Sequence, residues 1–229
     1  MKKYKALLFD LDDTILSFGK AEEYALNEIC KYYGILPTKE NIDLYKQINL
    51  NYWHKLERKE VTREYLLKQR FIDYFDRVNV KVNVNDINTA NDLYFKYLTS
   101  KVFYIDGALD AIRKLKEKYK IYIITNGVKL VQEKRLNLAN DVKELAEYVF
   151  ISEEIGNPKP TVEFMNFVLD KIKLNKSDVL IIGDSLSSDM QLGLNSDIDT
   201  CWFNAKHEET TLDITYIVYD YNDILKLLN

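Results

Sequence analysis

Two aspartates, Asp10 and Asp12, directly follow a short apolar run over residues 6–9. Because side chains alternate in direction along an extended chain, the two carboxylates can project toward one side. Two such groups repel each other unless a cation or a shared proton compensates their charge. The spacing is therefore compatible with a metal site, with an acid–base pair or with a solvated loop. Asp13 is expected to point away from both.

Two later apolar runs, residues 121–124 and 148–151, are followed by groups that can bind a phosphate: a hydroxyl and an amide after the first, and a lysine after the second. Thr125, Asn126 and Gly127 offer a hydroxyl, an amide side chain and backbone N–H groups near a helix start, which can hold phosphoryl oxygens. Lys159 stands between two prolines, and each proline fixes its own φ and keeps the preceding residue extended. Taken alone, the first segment is an ordinary turn with a helix cap, and the lysine is an ordinary exposed charge.

A further pair of acids, Asp184 and Asp189, comes after the apolar run 179–182. Gly183 precedes them and permits a tight turn. By itself this segment is a helix cap followed by a surface acid. The joint order of all these segments is more specific than any one of them, because each comes at, or just beyond, the end of a predicted strand.

Short apolar runs that alternate with amphipathic helices would position these residues. This alternation is typical of βαβ units and predicts an α/β fold with a mostly parallel sheet. The predicted strands are residues 6–9, 121–124, 148–151, 179–182, 201–203 and 217–218. Open sheets of this kind bind ligands at the carboxyl ends of their strands, where the candidate residues lie.

A helical segment interrupts this pattern, because apolar positions within residues 17–101 recur at intervals of three to four. The predicted helices are one closed by Gly34, one over residues 40–55, one capped by Thr62, and one that is capped by Asp86 and ends near Ser100. The sequence thus predicts two domains: a core made of residues 1–16 and 102–229, and an inserted helical domain of residues 17–101.

Composition and charge argue against several classes of protein. The 229 residues are 47% hydrophobic and 30% charged, which is typical of a globular protein and not of a disordered chain. With 32 basic and 36 acidic side chains the net charge is −4, which provides no electrostatic footprint for a nucleic acid. No apolar stretch reaches the roughly 18 residues of a membrane span. Cys30 and Cys201 are too few for a disulfide framework and suit a reducing compartment, so a cytoplasmic protein is expected.

The four segments resemble the motifs of the haloacid dehalogenase (HAD) superfamily. The residues that carry the resemblance are Asp10-x-Asp12-x-Thr14 for the first motif, Thr125 for the second, Lys159 for the third and Gly183-Asp184-x4-Asp189 for the fourth. The resemblance spans essentially the whole chain. It implies a Rossmann-like core and a helical cap domain of the type that is inserted directly after the first strand.

This resemblance implies a Mg²⁺-dependent phosphatase that works through an aspartyl-phosphate. Asp10 would attack phosphorus, while Asp12 would protonate the leaving oxygen and then activate the water. The same second acid argues against a dehalogenase, because members that attack carbon need no acid for the leaving group and typically lack it.

The resemblance also assigns the groups that hold the metal and the phosphate. Mg²⁺ would be held by Asp10, by the main-chain carbonyl of Asp12 and by Asp184, and Asp189 would bind a metal water or orient Lys159. Lys159 would compensate the charge of the nucleophile and the ester. Thr125, Asn126 and Gly127 would bind the phosphoryl group.

Within the superfamily the chain looks most like the housekeeping pyrimidine 5′-nucleotidases, on the residues 187–193 and 199–204 and on the cap residues Trp53, Arg70 and Phe71. The expected partner is thus a small phosphomonoester, with no nucleic acid polymer, membrane or obligate protein partner. Trp53, His54 and Arg70 could select the substrate. The interpretation we favour makes Trp53 and Phe71 part of the cap core and Arg70 a surface ion pair.

Two alternatives remain open at this point. A phosphosugar phosphatase or mutase resembles the chain in its core and in the place of its cap. A phospho-accepting signalling module also groups acids, a Thr or Ser and a Lys around Mg²⁺, although such modules have about half this length and no helical insert after the first strand.

Overall fold

The computed structural model describes residues 4–228. Its strands are β1 (Ala6–Phe9), β2 (Lys120–Thr125), β3 (Tyr148–Ile151), β4 (Val179–Gly183), β5 (Thr200–Phe203) and β6 (Tyr216–Val218). They form one six-stranded sheet in the order β3-β2-β1-β4-β5-β6. Every neighbouring pair is parallel, so the α/β prediction is confirmed and the sheet is parallel throughout the described residues.

β1 lies at the centre of the sheet, between β2 and β4. Leu7 and Phe9 pack into the apolar core on one face, and Ala6 and Leu8 pack into the core on the other. A strand that is buried on both faces reads as a continuous apolar run, which is why this one is visible in the sequence. The chain passes from β1 to β2 on one side and later to β4 on the other, and such a reversal opens a crevice at the carboxyl ends of the strands.

Contacts divide the chain into two compact units. One contains the sheet and comprises the chain up to Phe18 and from Val102 onward, and the other is Gly19–Lys101. The four helices after β1 are α1 (Phe18–Tyr32), α2 (Lys39–Glu57), α3 (Arg63–Arg77) and α4 (Val84–Leu98). The helices of the sheet-containing unit are α5 (Ala108–Lys116), α6 (Lys129–Leu138), α7 (Asn140–Leu145), α8 (Ser152–Ile155), α9 (Val162–Ile172), α10 (Gln191–Ser196) and α11 (Tyr221–Leu228).

The start of α4 differs from the prediction. Asn83, not Asp86, is the N-cap, and its side chain accepts from the N–H groups of Asn85 (2.8 Å) and Asp86 (3.2 Å). Asp86 reaches back to the N–H of Asn83 (2.8 Å), which completes a capping box. Asp86 is therefore the third residue of the helix, and α4 ends at Leu98, near Ser100 as predicted. The Thr62 cap of α3 is as predicted, because its hydroxyl accepts from the N–H of Tyr65 (3.2 Å).

Arg70 is buried in the helical unit, so the expectation of a surface ion pair is wrong. It is 2% exposed and donates to the side-chain oxygens of Asn49 (3.1 Å) and Asn91 (2.8 Å). Its guanidinium carbon lies 4.6 Å from the centre of the Tyr94 ring, a cation–π contact. Phe71, the next residue, is fully buried in the aromatic core as expected.

Trp53 and His54 are both half-buried. Trp53 packs against a small apolar cluster of Tyr52, Leu56 and Leu66 within the same unit. Among residues 4–228, no helix combines the length and the apolar character that a membrane span requires.

Candidate active site

A short turn at the carboxyl end of β1 presents the first two acids. Asp10 continues the pairing of β1 with β4, because its N–H donates to the carbonyl of Ile182 (2.8 Å). Further on, the N–H of Asp13 donates to the carbonyl of Leu16 (2.8 Å), and Asp13 takes a left-handed conformation with a φ of 54°. Asp10 and Asp12 therefore stand on a turn that backbone hydrogen bonds close on both sides.

Lys159 lies in the middle of the site and joins two acids. Its Nζ donates to Oδ1 of Asp10 (2.6 Å), to Oδ1 of Asp189 (2.6 Å) and to the carbonyl of Ile124 (3.0 Å). The lysine is 1% exposed. Burial alone would lower the pKa of its ammonium, but the two carboxylates raise that pKa above its ordinary value, so the group stays charged. The lysine that looked like an exposed loop charge when taken alone is a buried cation of the site.

Three carboxylates converge beside this lysine. Asp10, Asp184 and Asp189 each place one oxygen so that the three oxygens lie within 4.8 Å of one another. Burial raises the pKa of Asp10 well above its ordinary value, and although Lys159 opposes this rise, the charges of Asp189 and Asp184 add to it. Burial, together with the charges of Asp189 and Asp13, raises the pKa of Asp184 to about 8. The cluster thus has more negative charge than one ammonium compensates, and its hard oxygen donors fit a divalent cation such as Mg²⁺.

Asp189 is placed by the wide helical turn Leu186–Met190 that follows β4. It is fully buried, and its Oδ2 accepts from the N–H of Ser185 (3.2 Å). A Cβ at Gly183 would overlap the Asp189 side chain, so the glycine makes room for the acid. The carbonyl of Asp184 is held by the indole N–H of Trp202 (2.8 Å) on β5.

The side-chain amide of Asn126 is hydrogen-bonded to the backbone of Lys159. Its Oδ1 accepts from the N–H of Lys159 (2.8 Å), and its Nδ2 donates to the Lys159 carbonyl (2.9 Å). In this structure the Asn126 side chain anchors the lysine loop. The reason is geometric: the end of β2 lies beside the loop that follows β3, so the amide meets a peptide group there.

The hydroxyl of Thr125 accepts two hydrogen bonds. Its Oγ1 accepts from the N–H of Gly127 (3.1 Å) and from Nε2 of Gln132 (2.9 Å). A hydroxyl has two acceptor positions, so both are occupied and the O–H remains to donate. Within the described residues this proton has no acceptor, which leaves it available to a ligand.

Two further residues of the site, Gln132 and Arg135 on α6, were missed in the sequence. Gln132 Nε2 donates to Oδ2 of Asp12 (2.6 Å), and Arg135 forms an ion pair with Oδ1 of the same acid. Both side chains are 1% exposed. The other two buried residues of α6 are Val131 and Leu136, so half of its buried face is polar. A pattern of apolar residues alone therefore gives only a weak signal for this helix.

A family model described as "Haloacid dehalogenase-like hydrolase" matches residues 7–203. The chain is a haloacid dehalogenase-like hydrolase. The resemblance inferred from the four motifs is thereby confirmed, and all four motifs lie within the residues that the family model matches. Motif residues that are far apart in this hydrolase's sequence are brought together by the parallel order of its strands.

Curated relatives cover essentially the full length of the hydrolase. The HAD-hydrolase YfnB of Bacillus subtilis is 34% identical over 100% of this chain and 97% of its own. The pyrimidine 5′-nucleotidase PynA of Streptococcus pneumoniae is 36% identical over 99% of this chain and 95% of its own. The pyrimidine 5′-nucleotidase YjjG of Escherichia coli is 27% identical over 99% of this chain and 98% of its own.

A crystal structure of YfnB from Bacillus subtilis matches the hydrolase with a TM-score of 0.91 at 33% identity, over 100% of both chains. That structure is described as bound to magnesium and as revealing interdomain movement.

Proposed function

We propose that this HAD-like hydrolase is a Mg²⁺-dependent phosphatase of small phosphomonoesters, with pyrimidine nucleoside 5′-monophosphates as its preferred substrates. The observation that carries the proposal is the buried ammonium of Lys159, 2.6 Å from both Asp10 and Asp189 and beside the acidic triad. An anionic nucleophile that meets a dianionic ester requires such compensation, because phosphoryl transfer depends mainly on positioning and on charge stabilisation.

Asp10 is the proposed nucleophile. Lys159 holds its Oδ1, which leaves Oδ2 to attack phosphorus as the bond to the leaving oxygen breaks. Asp12 gives its proton to that oxygen, so the alcohol departs neutral. In the second step Asp12 takes a proton from water, the water oxygen bonds to phosphorus, and the bond to Asp10 breaks to release phosphate.

Asp10 and Asp184, with the main-chain carbonyl of Asp12, would hold Mg²⁺, and Asp189 would support the site through Lys159. The cation supplies positive charge that neutralises the phosphoryl oxygens and the acidic cluster. The O–H of Thr125 and the backbone N–H of Asn126 would hold the phosphoryl group, because the N–H of Gly127 already donates to Oγ1 of Thr125. The donor chemistry of the triad and the magnesium described for the YfnB crystal structure support this assignment.

The preference for pyrimidine nucleotides is supported by two relatives, PynA and YjjG, whose names state that activity. The residues discussed so far handle only the phosphoryl group, so we assign the choice of substrate to the helical unit. We also place the hydrolase in the cytoplasm, because Cys30 and Cys201 are free buried thiols that suit a reducing compartment.

The test is phosphate release from pyrimidine and purine nucleoside 5′-monophosphates and from sugar phosphates, with Mg²⁺ or with EDTA. Wild type should release phosphate only with Mg²⁺, most rapidly from the pyrimidine nucleotides. Asp10→Asn, which keeps the shape of the side chain and removes the nucleophile, should release none. No release from any compound by folded wild type overturns the proposal.

The other products identify the alternatives. A sugar phosphate as the best substrate overturns the nucleotide preference and keeps the phosphatase. An isomerised sugar phosphate identifies a mutase, and a long-lived phosphoprotein without turnover identifies a phospho-accepting module.

A further inference from the structure

Both carboxylate oxygens of Asp12 are held by one helix that belongs to none of the four motifs. Arg135 Nη1 donates to Oδ1, and Gln132 Nε2 donates to Oδ2 at 2.6 Å. Gln132 and Arg135 lie 120 and 123 residues further along the chain than Asp12. This acid is therefore oriented by α6 as well as by its own turn.

Arg135 is a buried cation with a single acidic partner. It is 1% exposed, and in the described part of the chain its only ion pair is with Asp12. Its Nη1 also donates to Oε1 of Gln132 (3.1 Å), and its guanidinium lies 5.7 Å from the centre of the Phe18 ring. Burying a charge is unfavourable unless the charge is paired. The burial of Arg135 is therefore tied to the carboxylate of Asp12.

Gln132 links this acid to the hydroxyl that is placed for the phosphate. Its two Nε2 protons go to Asp12 Oδ2 (2.6 Å) and Thr125 Oγ1 (2.9 Å), while its Oε1 accepts from Arg135. The three contacts fix the amide orientation, because the reversed amide would place its oxygen against the Asp12 carboxylate. Since Thr125 Oγ1 also accepts from Gly127 N–H, the bond from Gln132 leaves the hydroxyl able to donate only.

We propose that Gln132 and Arg135 are positioning residues for phosphoryl transfer: together they aim Asp12 at the leaving oxygen, and Gln132 also turns the Thr125 hydroxyl toward the phosphoryl group. This inference rests on the proposed function. Each carboxylate oxygen has two acceptor positions, so one oxygen of Asp12 can carry the transferred proton while both bonds to α6 persist. A proton donor must lie within hydrogen-bond reach of its acceptor, and small misplacements are costly to the rate.

The leaving group distinguishes this role from a purely structural one. A nucleoside 5′-monophosphate expels an alkoxide, which needs the proton of Asp12, whereas p-nitrophenyl phosphate expels a phenolate that departs without one. Arg135→Met should therefore lower kcat/KM for the nucleotide by roughly 100-fold, which is the scale of general acid catalysis, and that for p-nitrophenyl phosphate by less than about 5-fold. Arg135→Lys keeps the charge and should recover part of the loss.

Gln132→Leu should lower kcat/KM for both substrates, because it also releases the Thr125 hydroxyl, and Thr125→Val should reproduce its effect on p-nitrophenyl phosphate. Lys134→Ala removes an exposed side chain from the same helix and is the matched control, with kcat/KM unchanged for both substrates. Thermal unfolding and circular dichroism establish that each variant is folded.

Equal losses on the two substrates in folded Arg135→Met would overturn the inference and leave the phosphatase intact. If Arg135→Met does not fold, Arg135→Lys provides the same comparison, and an unchanged ratio of the two kcat/KM values in that variant overturns the inference. Failure of the proposed function is separate, because wild type would then turn over neither substrate with Mg²⁺.

Discussion

The side-chain amide of Asn126 is hydrogen-bonded to both backbone polar groups of Lys159. It accepts from the N–H at 2.8 Å and donates to the carbonyl at 2.9 Å. The side chain of Asn126, directly after β2, thus makes the two hydrogen bonds with the Lys159 backbone that a residue of a paired strand would make. These two bonds, together with the prolines on either side, fix the position of the Lys159 backbone at the end of β2.

Asn126→Ala should therefore impair the site by releasing the lysine loop. We expect kcat for the best substrate to fall roughly 10- to 100-fold, because a displacement of about 1 Å in a catalytic group has an effect of that size. The free energy of unfolding should fall by about 1–3 kcal/mol, since two backbone groups lose their partner. Steady-state kinetics and urea unfolding measure the two effects.

The matched control for that variant is Asn195→Ala, because Asn195 donates to the carbonyl of Pro160 (2.9 Å), the next residue of the same loop, from an exposed position. It should change kcat by less than about 2-fold, since an exposed hydrogen bond contributes little. Wild-type kcat in Asn126→Ala, or equal losses in both variants, would contradict the anchoring role.

Gly127→Ala should impair the enzyme through Gln132. A Cβ at this glycine would overlap the Gln132 side chain, and that side chain cannot move without losing its bonds to Asp12 and Thr125. We expect a loss in kcat/KM of roughly 10- to 100-fold with a pattern across substrates like that of Gln132→Leu. Gly34→Ala is the control, because its φ of 68° makes alanine strained while nothing lies within 4 Å. It should cost about 1 kcal/mol of stability and leave kcat/KM unchanged.

Binding of Mg²⁺ should release protons near neutral pH. Without a cation, burial and neighbouring acids raise the pKa of Asp184 to about 8, so this carboxyl is largely protonated at pH 7. A cation binds the ionised form, so the apparent affinity should increase from roughly pH 6 to roughly pH 9. Titration calorimetry in buffers of different ionisation enthalpy counts the protons released. Heats that do not depend on the buffer would contradict this, and Asp184→Asn should lower the number of protons released per Mg²⁺ bound.

The strands and the motif residues were visible in the sequence for a physical reason. A central parallel strand is buried on both faces, so Ala6–Phe9 is an unbroken apolar run, and the residue that follows such a run must lie at the carboxyl edge of the sheet. The sheet order is β3-β2-β1-β4, so the ends of β1 and β4 are adjacent and the end of β3 lies two strands from β1, which is why Asp10, Asp184 and Lys159 meet. The sequence predicted the strand ends that carry the motifs, and the structure gives the order of those strands in the sheet.

The polar residues on buried helix faces could not be predicted from the sequence, because the spacing of apolar residues indicates only which apolar side chains are buried. Arg135 is buried by a partner 123 residues away, and Arg70 by two asparagines that are each 21 residues distant. Nothing in the local sequence distinguishes such arginines from exposed ones. The N-cap of α4 was missed because Asn83 and Asp86 both carry capping chemistry and act as a pair.

The buried acid of the helical unit should make stability depend on pH. Oε1 of Glu22 accepts from Nδ2 of Asn49 (2.9 Å) and from the Tyr94 hydroxyl (2.9 Å), and burial raises the pKa of the Glu22 carboxyl above its ordinary value of 4.5. The folded state therefore binds this proton more tightly than the unfolded state does. The stability that Glu22 contributes is complete below 4.5 and is lost as pH rises through its raised pKa. Glu22→Gln stays neutral, so its urea midpoint should rise relative to that of wild type as the pH increases above 4.5, with the exposed Glu23→Gln as control. If the difference between the urea midpoints of Glu22→Gln and wild type stayed constant with pH, the Glu22 carboxyl would have the same pKa in the folded and unfolded chains, which would contradict the prediction.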